Sequence, residues 1–282
     1  MGSIFPQPWR EMPVNNKENL NFVRQYEPKN TDDVQHLRVL VHGPVGAGKS
    51  SFINSVDTVL RRKITGRALT DGIRVEGSFT TKYKNYKMIR DSDPNSHYCV
   101  SFNDIVGLEE NKGVHVDDVI LALKGHVRDG YEFNPSSPLK KGDEGYNPSP
   151  TLQDRVHILV SVVSADGAVI ITDEMVKKMR KIRKAASDMG IPQLTIITKG
   201  GKACPTVKDN VGNLYKSKYL KQKTEEFCSK LGIPMNCVFL VKNYEKETSL
   251  KDDVDAPILC ALTQIISFGD DFLNDVKRKE KI

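Results

Sequence analysis

Cysteine is scarce and scattered in this 282-residue chain. Its five thiols, Cys99, Cys204, Cys228, Cys237 and Cys260, form no C-x-x-C pair and no His/Cys grouping at zinc spacing. That excludes a disulfide-stapled scaffold and a zinc ribbon, and an odd number of isolated thiols fits a reducing compartment. Also missing is any run of about 18 apolar residues that could span a bilayer. The opening MGSIFPQPW has no basic segment leading into an apolar one, so it does not read as a secretory signal. Gly2 is followed by Pro6 where a myristoylation signal wants Ser or Thr. Strong charge of one sign is absent too: 42 Lys and Arg against 36 Asp and Glu leave +6, which favours anionic ligands without selecting one. The basic cluster Lys277-Arg278-Lys279 reads as a solvated helix end, so nucleic acid is not an expected partner. These absences together predict a cytoplasmic protein with no membrane span.

What the chain does contain is ordinary globular material, 38% hydrophobic and 28% charged. Residues 1–35 are rich in Pro, Asn and charge and read as an N-terminal arm packing on the domain through Phe5, Trp9 and Phe22. From residue 36 to 282 short β-branched runs alternate with helical segments. The runs cover residues 37–43, 81–89, 97–104, 156–164, 192–199 and 236–243. Those at 37–41 and 156–163 are almost continuously apolar, as strands covered on both faces are. TKYKNYKMI alternates Tyr with Lys and suits a half-exposed or edge strand. Helices are predicted from Lys49 to about Leu60, from about Asp117 to Val127, within 172–190 and 216–234, and from about Pro257 to Lys279. The second pair ends at Gly190 and Gly232, each followed by proline, which is a helix stop. Before the 156–164 run, residues 130–153 carry four prolines and three glycines and form an irregular insert, either functional or disordered.

GPVGAGKS at residues 43–50 matches G-x-x-x-x-G-K-S/T, with an apolar strand before it and SFINSV able to form a helix after it. Glycines let the backbone curl so that successive N–H groups meet phosphate oxygens, and the helix adds its positive end. Gly43, Val45, Gly46, Ala47, Gly48, Lys49, Ser50 and Ser51 are therefore the expected phosphate loop. Lys49 would reach the β and γ phosphates, Ser50 would ligate Mg²⁺ and Ser51 would touch the α phosphate. With strand–helix alternation, this predicts an α/β P-loop NTPase, GTPase-like, with three α/β/α layers and a mostly parallel central sheet.

A P-loop needs a carboxylate at the end of a neighbouring strand for the metal. HYCVSFNDIVG supplies Asp104, and Asp104 to Gly107 reads D-x-x-G, whose glycine N–H meets the γ phosphate in GTPases. A metal-closing threonine belongs between the two motifs; Thr80 and Thr81 are the candidates, with Thr70 behind them. Base recognition should follow a later strand as N/T-K-x-D. Here the stretch is Thr198-Lys199-Gly200-Gly201, with Lys199 placed to lie over a purine and glycine where guanine would meet an aspartate. Losing one charged acceptor costs about 1.5–3 kcal/mol, so guanine preference is weakened in expectation. Asn243, after the last strand, is a further base contact. Leu108 follows D-x-x-G where many GTPases carry a water-orienting glutamine, and Val45 would crowd an incoming arginine. Hydrolysis is expected to be slow or to depend on self-association, and no catalytic residue stands out.

The stretches RVLVHGPVGAGKSSFINSV, the D-x-x-G followed by Leu108-Glu109, GHVRDGYEFNPSSPLKKGD, VHILVSVVSAD, TK…ACP and VKNYEKE together resemble the interferon-induced protein 44 and 44-like family, over about residues 5–272. The resemblance implies a cytosolic, interferon-inducible protein with a GTPase-like domain, associated with antiviral or antiproliferative responses. With the motifs, the expected ligands are GTP or GDP with Mg²⁺, and the expected partners are proteins of innate immune signalling. Longer relatives carry an N-terminal domain of the TLDc type; 282 residues leave no room for one, so a form with the G domain alone is expected. Three functions stay open: a nucleotide-dependent switch or scaffold that hydrolyses little, a GTPase activated by self-association, and an interaction protein that uses nucleotide structurally or binds ATP.

Overall fold

A computed structural model describes residues 3–11, 16–29, 33–68, 81–91, 93–110, 113–166 and 172–280. The apolar run at the start of the domain becomes β1 (Leu37–His42), in which only Arg38 escapes full burial. Its later counterpart becomes β4 (Ile158–Ser164), buried at every position. The remaining strands are β2 (Lys84–Arg90), β3 (Asp93–Asp104), β5 (Gln193–Thr198) and β6 (Val238–Leu240). They form one sheet in the order β2-β3-β1-β4-β5-β6. Among the described residues, every pairing in this sheet is parallel except β2 with β3. The Tyr/Lys segment is an edge strand as its alternation predicts, with Tyr86 and Met88 buried and the lysines facing out.

Helices cover both faces, giving the three-layer α/β/α arrangement with a mostly parallel sheet. One layer joins α1 (Asn16–Gln25), α2 (Lys49–Arg61) and α8 (Asp252–Glu280); the other joins α3 (Val116–Leu123), α4 (Asp173–Asp188) and α7 (Lys218–Leu231). Caps set the ends of α4 and α7. Thr172 Oγ1 accepts from Met175 N and Ser217 Oγ from Leu220 N, while Gly190 and Gly232 stand past the far ends at positive φ. Two short helical turns, α5 (Gly200–Ala203) and α6 (Pro205–Asp209), follow β5. Helix α8 has the length and mean hydropathy of a membrane span, but 61% of that apolar window is buried, and the helix packs on β1, β4, α1 and α2.

Several local expectations shift. Helix α3 stops at Leu123 rather than Val127, because Gly125 turns at φ 82° and Val127 pairs with Tyr146 inside the insert. The insert is folded onto the domain. Tyr83 N donates to Tyr131 O at 2.8 Å, Phe133 N to Thr81 O at 3.1 Å and Asn85 N to Asp129 Oδ1 at 2.7 Å, so residues 81–83 pair with the insert and β2 begins only at Lys84. On α3, Asp118 is fully buried and accepts from Leu139 N at 2.7 Å, and its burial raises the carboxyl above its ordinary range. In the arm, Trp9 packs tilted against Tyr215 with ring centroids 5.0 Å apart, but Phe22 is exposed. Helical periodicity turns Leu20 and Val23 inward and leaves Phe22 outside.

Candidate functional site

The carboxyl ends of the parallel strands meet at one edge, where ligands bind in open α/β sheets. Register places Asp104 of β3 beside Val41 of β1, one residue before His42 and two before the glycine that opens the loop. His42 is fully buried and shares a 2.6 Å hydrogen bond with Ser161 Oγ on β4; burial first, then Lys49 and Arg183, pull its pKa down to about 3. It is therefore a neutral platform under the loop at ordinary pH.

From there the chain turns through Gly43, Gly46 and Gly48 at φ 142°, 73° and 91°. A side chain at 43 would also place its Cβ 2.0 Å from Val162 O, so glycine is required twice over. Helix α2 starts at Lys49, which brings the unsatisfied N–H groups of its first turn to the loop. Lys49 is only 6% exposed, and its Nζ donates to Pro44 O at 3.0 Å and Gly43 O at 3.3 Å, folding the ammonium into the loop's own carbonyls. Ser50 Oγ donates to Asp104 Oδ2 at 2.6 Å, and Asp104 is 1% exposed. Two hard oxygen donors held this close suit Mg²⁺, which prefers carboxylate, hydroxyl and water ligands.

The D-x-x-G segment lies directly on the loop. Leu108 N donates to Gly43 O at 3.0 Å, and Val45 N donates to Leu108 O at 3.2 Å. Gly107 presses on Val45 so closely that a Cβ there would come within 2.3 Å of Val45 Cγ2. Leu108 is buried at 1% exposure and its main chain, not its side chain, makes the polar contacts. The next two carbonyls, of Glu109 and Glu110, accept from Lys178 Nζ on α4 at 2.7 and 2.6 Å.

On the opposite side, Thr198 and Asn243 grip the loop's main chain. Thr198 Oγ1 donates to Ala47 O at 2.6 Å and is fully buried, while Asn243 Nδ2 donates to Gly48 O at 3.1 Å. Asn243 Oδ1 is buried and, among the described residues, accepts no hydrogen bond. Lys199 adopts φ 58°, and its Nζ lies 3.8 Å from Asp166 Oδ2. Gly201 begins no strained turn, and a Cβ there would meet nothing nearer than Lys208 Cα at 3.4 Å, so the position has room for an aspartate.

These elements wall a cleft of about 930 Å³. It runs from Gly46, Gly48, Lys49, Ser50 and Ser51 to Lys199 and Gly201 and to the 242–247 segment. Its rim carries two ion pairs, Lys202 with Glu245 at 2.9 Å and Lys242 with Glu247 at 2.8 Å. Burial pushes the Glu247 carboxyl up, but hydrogen bonds from Glu245 N, Lys242 and Lys246 N outweigh it and hold the group down at about 2.

The fold thus gathers the loop residues 43–51, Asp104, Gly107, Thr198, Lys199 and Asn243 around one edge. Thr81 is exposed and tied through its carbonyl to the insert; Thr70 and Thr80 lie outside the described residues. Sequence reading missed Lys178, Asp166 and Glu247. Asp166, two residues past an apolar strand, carried a signal of the kind that exposed Asp104, whereas Lys178 is one of several surface lysines on α4 and carried none.

No family model matches the chain. It is 36% identical over 259 residues to interferon-induced protein 44 of Mus musculus, covering 91% of this chain and 60% of that protein. Interferon-induced protein 44 of Homo sapiens is 33% identical over 261 residues, covering 92% of this chain and 58% of the relative. Interferon-induced protein 44-like of Homo sapiens is 31% identical over 260 residues, covering 92% and 57%. The chain therefore spans a little under two thirds of the length of the curated relatives it matches.

Proposed function

We propose that this chain, a member of the interferon-induced protein 44 and 44-like family, is a cytoplasmic guanine-nucleotide-binding switch or scaffold of the interferon-induced antiviral response, with weak or no intrinsic hydrolysis. One observation carries the reading. A lysine, a hydroxyl and a carboxylate, the groups that magnesium and phosphate would require, meet at the carboxyl edge of the mostly parallel sheet, with Ser50 Oγ and Asp104 Oδ2 2.6 Å apart. Bound Mg²⁺ would neutralise phosphate charge between Ser50 and Asp104, while the N–H groups around Gly46 to Ser51 and the Lys49 ammonium would receive the phosphates. Lys199 would cover one face of the base and Asn243 Oδ1 would accept from its edge. Buried Leu108 offers no group to orient a water, which supports slow hydrolysis. Protein partners of innate immune signalling and self-association belong to this proposal as the outputs of the switch.

A second reading, a site indifferent to the base, is favoured by Gly201, which leaves no carboxylate for guanine's N1–H and amino group. Calorimetry with GDP, a GTP analogue, ADP and ATP, each with Mg²⁺, tests both. Guanine preference is the expected result, and Gly201→Asp should widen it by about ten- to a hundredfold, because it adds one charged acceptor. Equal guanine and adenine binding that Gly201→Asp does not change would remove this loop from base recognition. Failure to bind any of the four would end the nucleotide reading.

A further inference from the structure

The segment after D-x-x-G lies on the loop itself and outside the walls of the cleft. In P-loop switches the γ phosphate and its metal order the segment after D-x-x-G, so that segment must leave room for the group. Here the segment occupies the loop directly. Gly107 touches Val45 with no space for a methyl group, and Leu108 bonds to the loop in both directions, at Gly43 O and Val45 N. Gly46, Gly48, Lys49, Ser50 and Ser51 wall the cleft, whereas Val45, Asp104, Gly107 and Leu108 lie outside its walls. Lys178 reaches across from α4 and closes the arrangement with two bonds of 2.7 and 2.6 Å to the carbonyls of Glu109 and Glu110. Bonds with an ionised donor are about twice as strong as neutral ones.

We propose that residues 107–110 form a latch over the phosphate loop that makes this site take nucleoside diphosphates in preference to triphosphates, with Lys178 as the positioning residue that keeps the latch shut. The inference rests on the nucleotide-binding reading above. A diphosphate enters against residues 46–51 and leaves the latch undisturbed. A triphosphate must break the Leu108 bridge and move the segment away from Lys178, so part of its binding free energy is consumed in opening it. Lys178 does not line the cleft, so its loss should act on one ligand and not on the other.

The test is calorimetric titration of the full chain with Mg²⁺ and with the diphosphate and the non-hydrolysable triphosphate of one base, run for guanine and for adenine, on the wild type, Lys178→Ala and Lys178→Arg. The wild type should bind the diphosphate at least about tenfold more tightly, about 1.4 kcal/mol. Lys178→Ala should tighten the triphosphate by about three- to tenfold, with diphosphate affinity held within about twofold, and Lys178→Arg should restore the wild-type ratio. Equal affinities, or a tighter triphosphate, in the wild type would overturn the latch. An unmoved ratio in Lys178→Ala, or weakening of both ligands together, would overturn the role of Lys178. Absence of binding by either nucleotide would instead strike the nucleotide site itself, and the latch with it.

Discussion

At Glu247, burial and hydrogen bonding pull in opposite directions and the charge survives. Its carboxyl accepts from two main-chain N–H groups and from Lys242 at the mouth of the cleft. In the unfolded chain the group titrates near 4.5, and in the fold near 2. A depressed carboxylate of this kind contributes stability that is fully present above 4.5 and is lost as pH falls toward 2. Glu247→Gln should therefore flatten the loss of stability between about pH 4.5 and about pH 2, read from denaturant unfolding. Superimposable pH profiles for the two proteins would contradict the assignment. The same scale shows what residue types reveal on their own. Lys49, Ser50 and Asp104 could be singled out in advance because the proposed phosphate and Mg²⁺ chemistry would dictate the side chains and their spacing, and the fold brings the three to one edge. Thr198 and Asn243 were singled out in the sequence as base contacts, and the structure shows both holding the loop backbone, a role that only their distances to Ala47 O and Gly48 O display. Lys178 was illegible because its partners are carbonyls, and a carbonyl leaves no mark in a sequence.

Among the elements, β6 shows how the arm matters. It is the last strand of the sheet, and such edges invite pairing with other chains. Arg10 covers it: the guanidinium bonds to Val238 O, donates to Asn236 O at 3.2 Å, and lies 4.5 Å from the centre of the Phe239 ring. Phe5 N and Trp9 N fasten the same stretch to Lys216 O and Tyr215 O at 2.8 and 2.9 Å. Arg10→Ala should lower unfolding free energy by about 1–3 kcal/mol, the range for losing hydrogen bonds made by a charged group. An unfolding midpoint that does not move would show that the arm rests on the edge without holding it. Most elements could be read in advance, since strands covered on both faces must be apolar and capped helices announce their ends. Tertiary pairing set what could not be read. The insert draws residues 81–83 out of β2 and ends α3 early, and the inward face of α1 is chosen by α8, which lies more than 200 residues away.

Across the whole molecule, the order β2-β3-β1-β4-β5-β6 brings the carboxyl ends of five strands, all but antiparallel β2, to one edge. The loop after β1 sits centrally there, between the segment after β3 and the segments after β5 and β6. That placement lets the loop be gripped from both sides, by Leu108 at Gly43 and Val45 and by Thr198 and Asn243 at Ala47 and Gly48. Under the proposed reading, a triphosphate seated on this loop would be felt by the D-x-x-G segment and by the loops after β5 and β6 together, which is the coupling a switch needs. The measurement that bears most directly on the account is titration of Mg²⁺ and GDP into the wild type and Lys49→Ala, with thermal unfolding of both proteins confirming that each is folded. The account predicts about micromolar binding by the wild type and a loss of at least about a hundredfold in the variant, about 2.7 kcal/mol. Unaltered affinity in folded Lys49→Ala would contradict the phosphate site on which the rest is built.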